Sequence, residues 1–238
     1  MKKMKGSGNY LKNQVRKNLA KAFACLALFG LIFFVLSLRL LFTLNLGIFE
    51  AAGLLVSLVP LAAFYFYLRK YRIYSGGWQG EKQVSKLLSR TLSDDYYLIN
   101  DLYFHDGGGD IDHMVLGPNG VFVLETKNWS GRIICSGDDW QRPGKRKVGS
   151  PSRQAKRNAL RGKRIIDSSQ ALRSLDLWVK GIVVFANSHC QLQINNPTVP
   201  ILKLQQLPNY IIAHKTVSPA LTRQQLEQFS KEILKLTN

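Results

Sequence analysis

The chain is poor in the residues that build thiolate or redox chemistry. Its 238 residues include three cysteines, Cys25, Cys135 and Cys190, widely spaced and without a CxxC pair. That pattern argues against a zinc ribbon or a disulfide framework and suits a reducing compartment. Among the four histidines, His105, His189 and His214 have no metal-ligand spacing. Carboxylates are scarce too: 15 Asp and Glu stand against 33 Lys and Arg, a formal charge of +18. So basic a balance implies an acidic partner, nucleic acid or anionic lipid, and says nothing about fold. There is no internal repeat and no long low-complexity linker.

The overall composition conceals a division. Mean hydropathy is −0.07, yet residues 22–68 are dominated by apolar side chains and 69–238 have the balance of an ordinary soluble domain. The uncharged runs AFACLALFGLIFFVLSL (22–38) and AAGLLVSLVPLAAFYFYL (51–68) are each near the length a spanning helix needs, about 17–25 residues. A cleaved signal peptide fits poorly, because no A-x-A site follows and a second run comes after the first. A buried helical pair in a soluble protein is the other reading, but two such runs in tandem exceed what a core helix needs. The expectation is a two-helix transmembrane hairpin over 22–68, with a kink at Pro60 that a membrane helix tolerates.

Loop charges orient it. Lys2, Lys3, Lys5, Lys12, Arg16, Lys17 and Lys21 precede the first run, and Arg69, Lys70 and Arg72 follow the second. The connecting loop holds only Arg39, able to snorkel to the interface, and Glu50. By the positive-inside rule both termini lie in the cytoplasm, in a multi-pass protein of the inner (cytoplasmic) membrane. Tyr65, Tyr67, Tyr71 and Tyr74 then form an aromatic belt. The expected organisation is a basic N-terminus (1–21), the hairpin, a linker (69–77) hinged at Ser75-Gly76-Gly77, and a domain over 78–238 with its core at 78–187 and an extension at 188–238.

Within that domain the apolar spacing predicts an amphipathic helix over 78–92 and a strand over 96–104, then the turn-rich HDGGG. Two strands follow about the turn GPNG, then short β and loop over 131–149 and a basic helix over 150–172. A buried strand at 179–187, a short strand within 198–207, a helix near 207–214 and an amphipathic helix over 219–236 complete the order. This order predicts an α/β domain with a mixed central sheet flanked by helices.

The chemistry concentrates in IDHMVLGPNGVFVLETKNW, residues 111–129. With Gly117 facing Gly120, Leu116 faces Val121, Met114 faces Val123 and Asp112 faces Glu125. Facing residues have Cβ atoms about 4.5–5.5 Å apart, so two carboxylates there repel and need a shared proton or a cation. Strand periodicity adds Lys127 to the face of Glu125, near Asp110 across the pair. A hard divalent ion such as Mg²⁺ suits paired carboxylates and completes its shell with water and substrate phosphate. A lysine beside it can orient the attacking water and stabilise charge developing on phosphate. Those are the parts needed to hydrolyse a phosphodiester.

Asp112 followed by Glu125-Thr126-Lys127 resembles the D…(D/E)xK signature of the PD-(D/E)xK nucleases, which include restriction endonucleases and Holliday-junction resolvases. Gly80-Glu81, IDHMVLG (111–117) and VFVLETKNWSG (121–131), in order and spacing, are similar to the nuclease-related domain, NERD, over about residues 78–187. The resemblance implies a restriction-endonuclease-like fold and a DNA-cleaving hydrolase, an endonuclease, using Mg²⁺ or Mn²⁺. It makes Asp112, Glu125 and Glu81 the metal carboxylates and Lys127 the catalytic lysine, with Gln154 approaching the substrate or the water. The helicase, kinase and zinc-ribbon segments that often accompany the domain are not visible.

Each residue also has a plainer reading. An exposed Glu–Lys pair contributes about 0–1 kcal/mol and needs no VFVL run beside it, so Glu125 and Lys127 read as functional. Glu81 alone would be a first-turn helix carboxylate favoured by the dipole. Asp110 reads as a loop residue, and His113, pointing to the opposite face, as a hydrogen-bonded structural residue. Gly107–Gly109 read as a flexible loop, and Trp129 and Trp140 as core. Arg132, Arg142, Lys145, Arg146, Lys147, Arg153, Lys156, Arg157, Arg161, Lys163 and Arg164 cluster just downstream of the site. From Arg142 onward they form a track for DNA backbone phosphates, with anionic lipid as the competing partner. The two functional expectations are a membrane-anchored metal-dependent nuclease and a catalytically silent membrane tether that binds nucleic acid. A third, an anion or lipid sensor, follows from the charge alone.

Overall fold

The computed structural model describes residues 1–5, 9–43, 47–103, 110–145, 148–169, 173, 177–215 and 220–236. They form two compact units: Tyr10–Trp78, and Met1–Asn9 together with Gln79–Asn238.

The first unit contains helix α1 (Tyr10–Thr43) and most of helix α2 (Ile48–Thr91). Both are long and apolar enough to cross a membrane. Phe23, Leu31, Phe34, Leu55 and Val59 are more than half exposed, which water disfavours and a hydrocarbon solvent does not. The polar part of α2 begins at Arg69, beyond the apolar run. Both helices outrun their apolar stretches, because nothing at 10–21 or 69–91 breaks the pattern. The Gly76-Gly77 hinge is therefore corrected: both glycines lie inside α2, and residues 69–77 are helical. Glycine costs about 1 kcal/mol in a helix, but a Cβ at Gly77 would sit 3.2 Å from Leu11 Cδ1, so the bare backbone admits that side chain.

The second unit is α/β, with a six-stranded mixed sheet. Strands β1 (Lys2–Lys5), β2 (Tyr97–Leu102), β3 (Ile111–Gly117), β4 (Gly120–Lys127), β7 (Val179–Phe185) and β9 (Ile201–Lys203) stand in that order. The β2–β3 and β3–β4 pairs are antiparallel; β1–β2, β4–β7 and β7–β9 are parallel. Strands β5 (Gly131–Ser136), β6 (Asp139–Gln141) and β8 (Cys190–Asn195) form a separate small sheet, ordered β6-β5-β8.

Helices α3 (Pro151–Ser168) and α5 (Arg223–Leu236) pack on one face of the large sheet, where Met114, Leu116, Val121, Val123, Ile166, Phe229 and Ile233 share a core. The end of α2 and helix α4 (Leu207–Ala213) cover the other, with Val84, Leu88, Val115, Phe122, Leu124 and Ile211. Residues 188–238, expected as an extension, thus complete both sheets and both layers. The N-terminus also departs from expectation, since Lys2–Lys5 is an edge strand with Lys2 opposite Tyr97. Four residues with three lysines carry no alternation to read.

Candidate active site

The turn sets the site. Gly117 faces Gly120, Leu116 faces Val121, Met114 faces Val123 and His113 faces Leu124, the register the sequence implies. Gly120 has φ +129°, a conformation open to glycine and strained for other residues. The paired ladder ends at His113–Leu124, and Asp112 and Glu125 lie one residue beyond it. There the backbone amide of Thr126 donates to Asp112 Oδ2 at 2.7 Å.

Helix α3 closes the site from above. Ser150 caps it by accepting from the Arg153 amide, and Pro151 opens its first turn. A Cβ at Gly181 of β7 would meet the Ala155 carbonyl at 2.6 Å, so glycine there lets α3 lie close to the sheet. That seating brings Gln154 and Asn158, one turn apart, onto the end of β4. Glu125 is 1% exposed; its Oε1 accepts from Lys127 Nζ at 2.5 Å and its Oε2 from Asn158 Nδ2 at 3.2 Å. Lys127 Nζ also donates to Gln154 Oε1 at 3.2 Å and lies 5.9 Å from the centre of the Trp129 ring. Arg142 stacks on that same ring at 4.9 Å.

Burial dominates the electrostatics, and crowding of negative charge adds to it at Glu81 and Asp112. Burial, then Asp112, Asp101, Glu125 and Asp110, push the Glu81 carboxyl up to about 10. Burial and then Glu125 raise Asp112 well above the carboxylate range, opposed by Lys127 and the Thr126 amide. Burial raises Glu125 against the pull of Lys127, Arg157 and Asn158. Lys127 is held charged by Glu125, Asp112 and Glu81, although burial opposes it. Among the described residues no group of three His, Cys, Asp or Glu side chains closes up as a metal cluster. The donor set nonetheless suits a hard cation: all oxygen, crowded and short of compensating charge. One or two carboxylates with water and phosphate are what Mg²⁺ uses.

The expected residues divide into groups. Asp112, Glu125, Lys127 and Gln154 meet, and Glu81 joins them electrostatically. Asp110 feels Arg161 rather than Lys127. His113 is buried, with Nδ1 2.7 Å from Asn100 Oδ1, and burial drives its pKa down to about 3, so it stays neutral and structural. His214 packs against Phe122 and Tyr210, and His189 takes part in a turn at Asn187. Trp140 is core, stacked on Phe185, whereas Trp129 is only partly covered and borders the site.

On the basic track, Arg153 pairs with Asp139 at 3.4 Å, Lys156 with Asp138 at 2.5 Å and Lys163 with Asp167 at 3.1 Å. Arg132 bonds Gln193, and Lys145 lies in the turn after Arg142. Arg157 and Arg164 are exposed on α3, while Arg161 is 6% exposed and so is corrected from surface to interior. Arg146, Lys147, His105 and Gly107–Gly109 lie outside the described residues.

Two site residues escaped the sequence reading. Asn158 is recoverable as Gln154 plus one helical turn. Asp101, with φ +56°, stands opposite Asp112 when the β2–β3 register is continued, the same arithmetic applied one strand earlier.

Residues 76–186 match the nuclease-related domain, NERD. An uncharacterized protein of Bacillus anthracis is 37% identical over 86 residues, 35% of this chain, and the match spans 39% of that relative's length. No solved structure matches the chain.

Proposed function

We propose that this protein is a membrane-anchored, metal-dependent nuclease that hydrolyses phosphodiester bonds in DNA. The observation that carries the reading is the buried Glu125–Lys127 pair beside Asp112, at the end of a hairpin strand in a nuclease-related domain. Asp112 and Glu125, with Glu81, would hold Mg²⁺ or Mn²⁺. When bound, such an ion activates water and neutralises charge on phosphate. Lys127 Nζ, held by Gln154 and Glu125, keeps a proton at the point where negative charge grows on the phosphate. Asn158 fixes the Glu125 carboxylate, and the exposed arginines of α3 bind backbone phosphates without reading bases.

The anchoring reading draws on topology. Strands β1 and β2, which flank the two apolar helices in the chain, are neighbours in one sheet. The helical pair must then leave and return on the same side of a bilayer, which supports a two-span hairpin. The lysine-rich flanks make that side the cytoplasm.

The deciding experiment is cleavage by the full chain in detergent, comparing wild type with Glu125→Ala in Mg²⁺, Mn²⁺ or EDTA. Cation-dependent cleavage is expected. Its loss in the variant follows from several kcal/mol of transition-state stabilisation, about a thousandfold in rate. No cleavage of any nucleic-acid structure would sink the enzyme. A nucleic-acid-binding tether would then stand, favoured by Lys127 occupying Glu125 where a metal would otherwise lie.

A further inference from the structure

The outer side of α3 carries more than arginines. Lys156, Leu160 and Lys163 recur at helical spacing and line a cleft of about 460 Å³ against Trp178, Lys180 and Val199. Trp178 is 71% exposed and Leu160 62%, although both are large apolar side chains. The volume falls within the range of about 300–1,000 Å³ typical of ligand sites. The lining is largely apolar, and the charged groups on it are lysines. Two of the lysines already have carboxylate partners, Lys156 with Asp138 and Lys163 with Asp167, partly exposed pairs of the kind worth about 0–1 kcal/mol. An exposed aromatic side chain beside an apolar lining and lysines suits a stacked ring carrying negative charge.

The cleft and the candidate active site share helix α3. Gln154 of the same helix touches Lys127, and Lys156 begins the cleft half a turn later. From Gln154 to Lys163 the helix rises about 14 Å, the span of about four nucleotides at stacked spacing. Along the same helix Arg153, Lys156, Arg157, Leu160 and Arg164 line a shallow groove. A duplex keeps its bases inside and gives Trp178 nothing to stack on, whereas a single strand offers both bases and phosphates.

We propose that the Trp178 cleft is a base-stacking subsite for single-stranded nucleic acid, making a single-stranded or unpaired segment the substrate class of the site. This rests on the nuclease reading for its function, but not for its binding. The test uses the full chain in detergent with EDTA, so that binding is read without cleavage. Labelled single-stranded oligothymidylate and a duplex of equal length are titrated against wild type, Trp178→Ala and Trp178→Phe. Base–aromatic stacking is worth about 1–3 kcal/mol, so Trp178→Ala should weaken single-strand binding about 5- to 100-fold. Trp178→Phe should restore most of it, and duplex affinity should not move. The exposure of Trp178 makes misfolding of these variants a small concern. Unchanged single-strand affinity, equal loss on both substrates, or a defect seen only with phosphatidylglycerol vesicles would overturn the proposal, the last making the cleft a lipid site. The Glu125→Ala cleavage assay fails or succeeds independently, so a lost subsite and a lost enzyme are distinguishable.

Discussion

Two charged regions meet along α3, and they are built on opposite principles. At its sheet-facing side lie Glu81, Asp112, Glu125 and Lys127, crowded, mutually perturbed and partly or wholly covered. On its outer side Arg153, Arg157 and Arg164 stand in solvent with little besides salt bridges to fix them. Buried charge is expensive and persists only where geometry compensates it. Solvated charge is cheap, nearly additive and screened by salt. The contrast teaches what each region would lose on substitution: the buried cluster, the proposed seat of chemistry, should fail when one member leaves, and the ridge should lose affinity one charge at a time.

The largest expected effect tests the buried side. Lys127→Met removes the ammonium from Glu125, which has 1% of its side chain exposed. Leaving that carboxylate buried and unpaired should cost about 3–5 kcal/mol of stability in denaturant unfolding. Adding Glu125→Gln to the same chain should return much of the loss, because the two changes act on one pair. A Lys127→Met protein as stable as wild type would mean the cluster is as solvated as the ridge.

A smaller effect sharpens the same contrast. Mg²⁺ at a hundred times its dissociation constant should stabilise the protein by about 2.7 kcal/mol, seen as a raised melting temperature. Asp112→Asn should abolish that rise, whereas Arg164→Ala should keep it. An equal rise in Asp112→Asn would place the ion elsewhere.

The ridge should respond most gently. Arg153→Ala or Arg164→Ala should weaken DNA binding uniformly across sequences and lower the salt slope by about 1 each. A slope unchanged in both would leave the track without phosphate contacts.

The hairpin was legible before folding because GPNG fixes which residues face each other, and a period of two fixes the side-chain face. Asp112, Glu125 and Lys127 follow from that arithmetic alone. Asn158 and Gln154 do not, since their contact with the strand depends on how closely α3 approaches, and Gly181 decides that. The pairing of Lys2–Lys5 with Tyr97–Asn100 was invisible for another reason: it joins segments separated by the whole helical hairpin, without apolar alternation to announce it.

By itself, then, the sequence determined two long apolar helices, a turn-registered carboxylate pair and a strongly basic helix. Each is a local pattern, written in spacing a short window can hold. Only the tertiary structure decided that α3 lies over β4, that the chain's first strand edges the same sheet, and that Trp178 stands exposed beside lysines. Those are long-range packing outcomes, in which glycine clearances and strand order count for more than the character of any one segment.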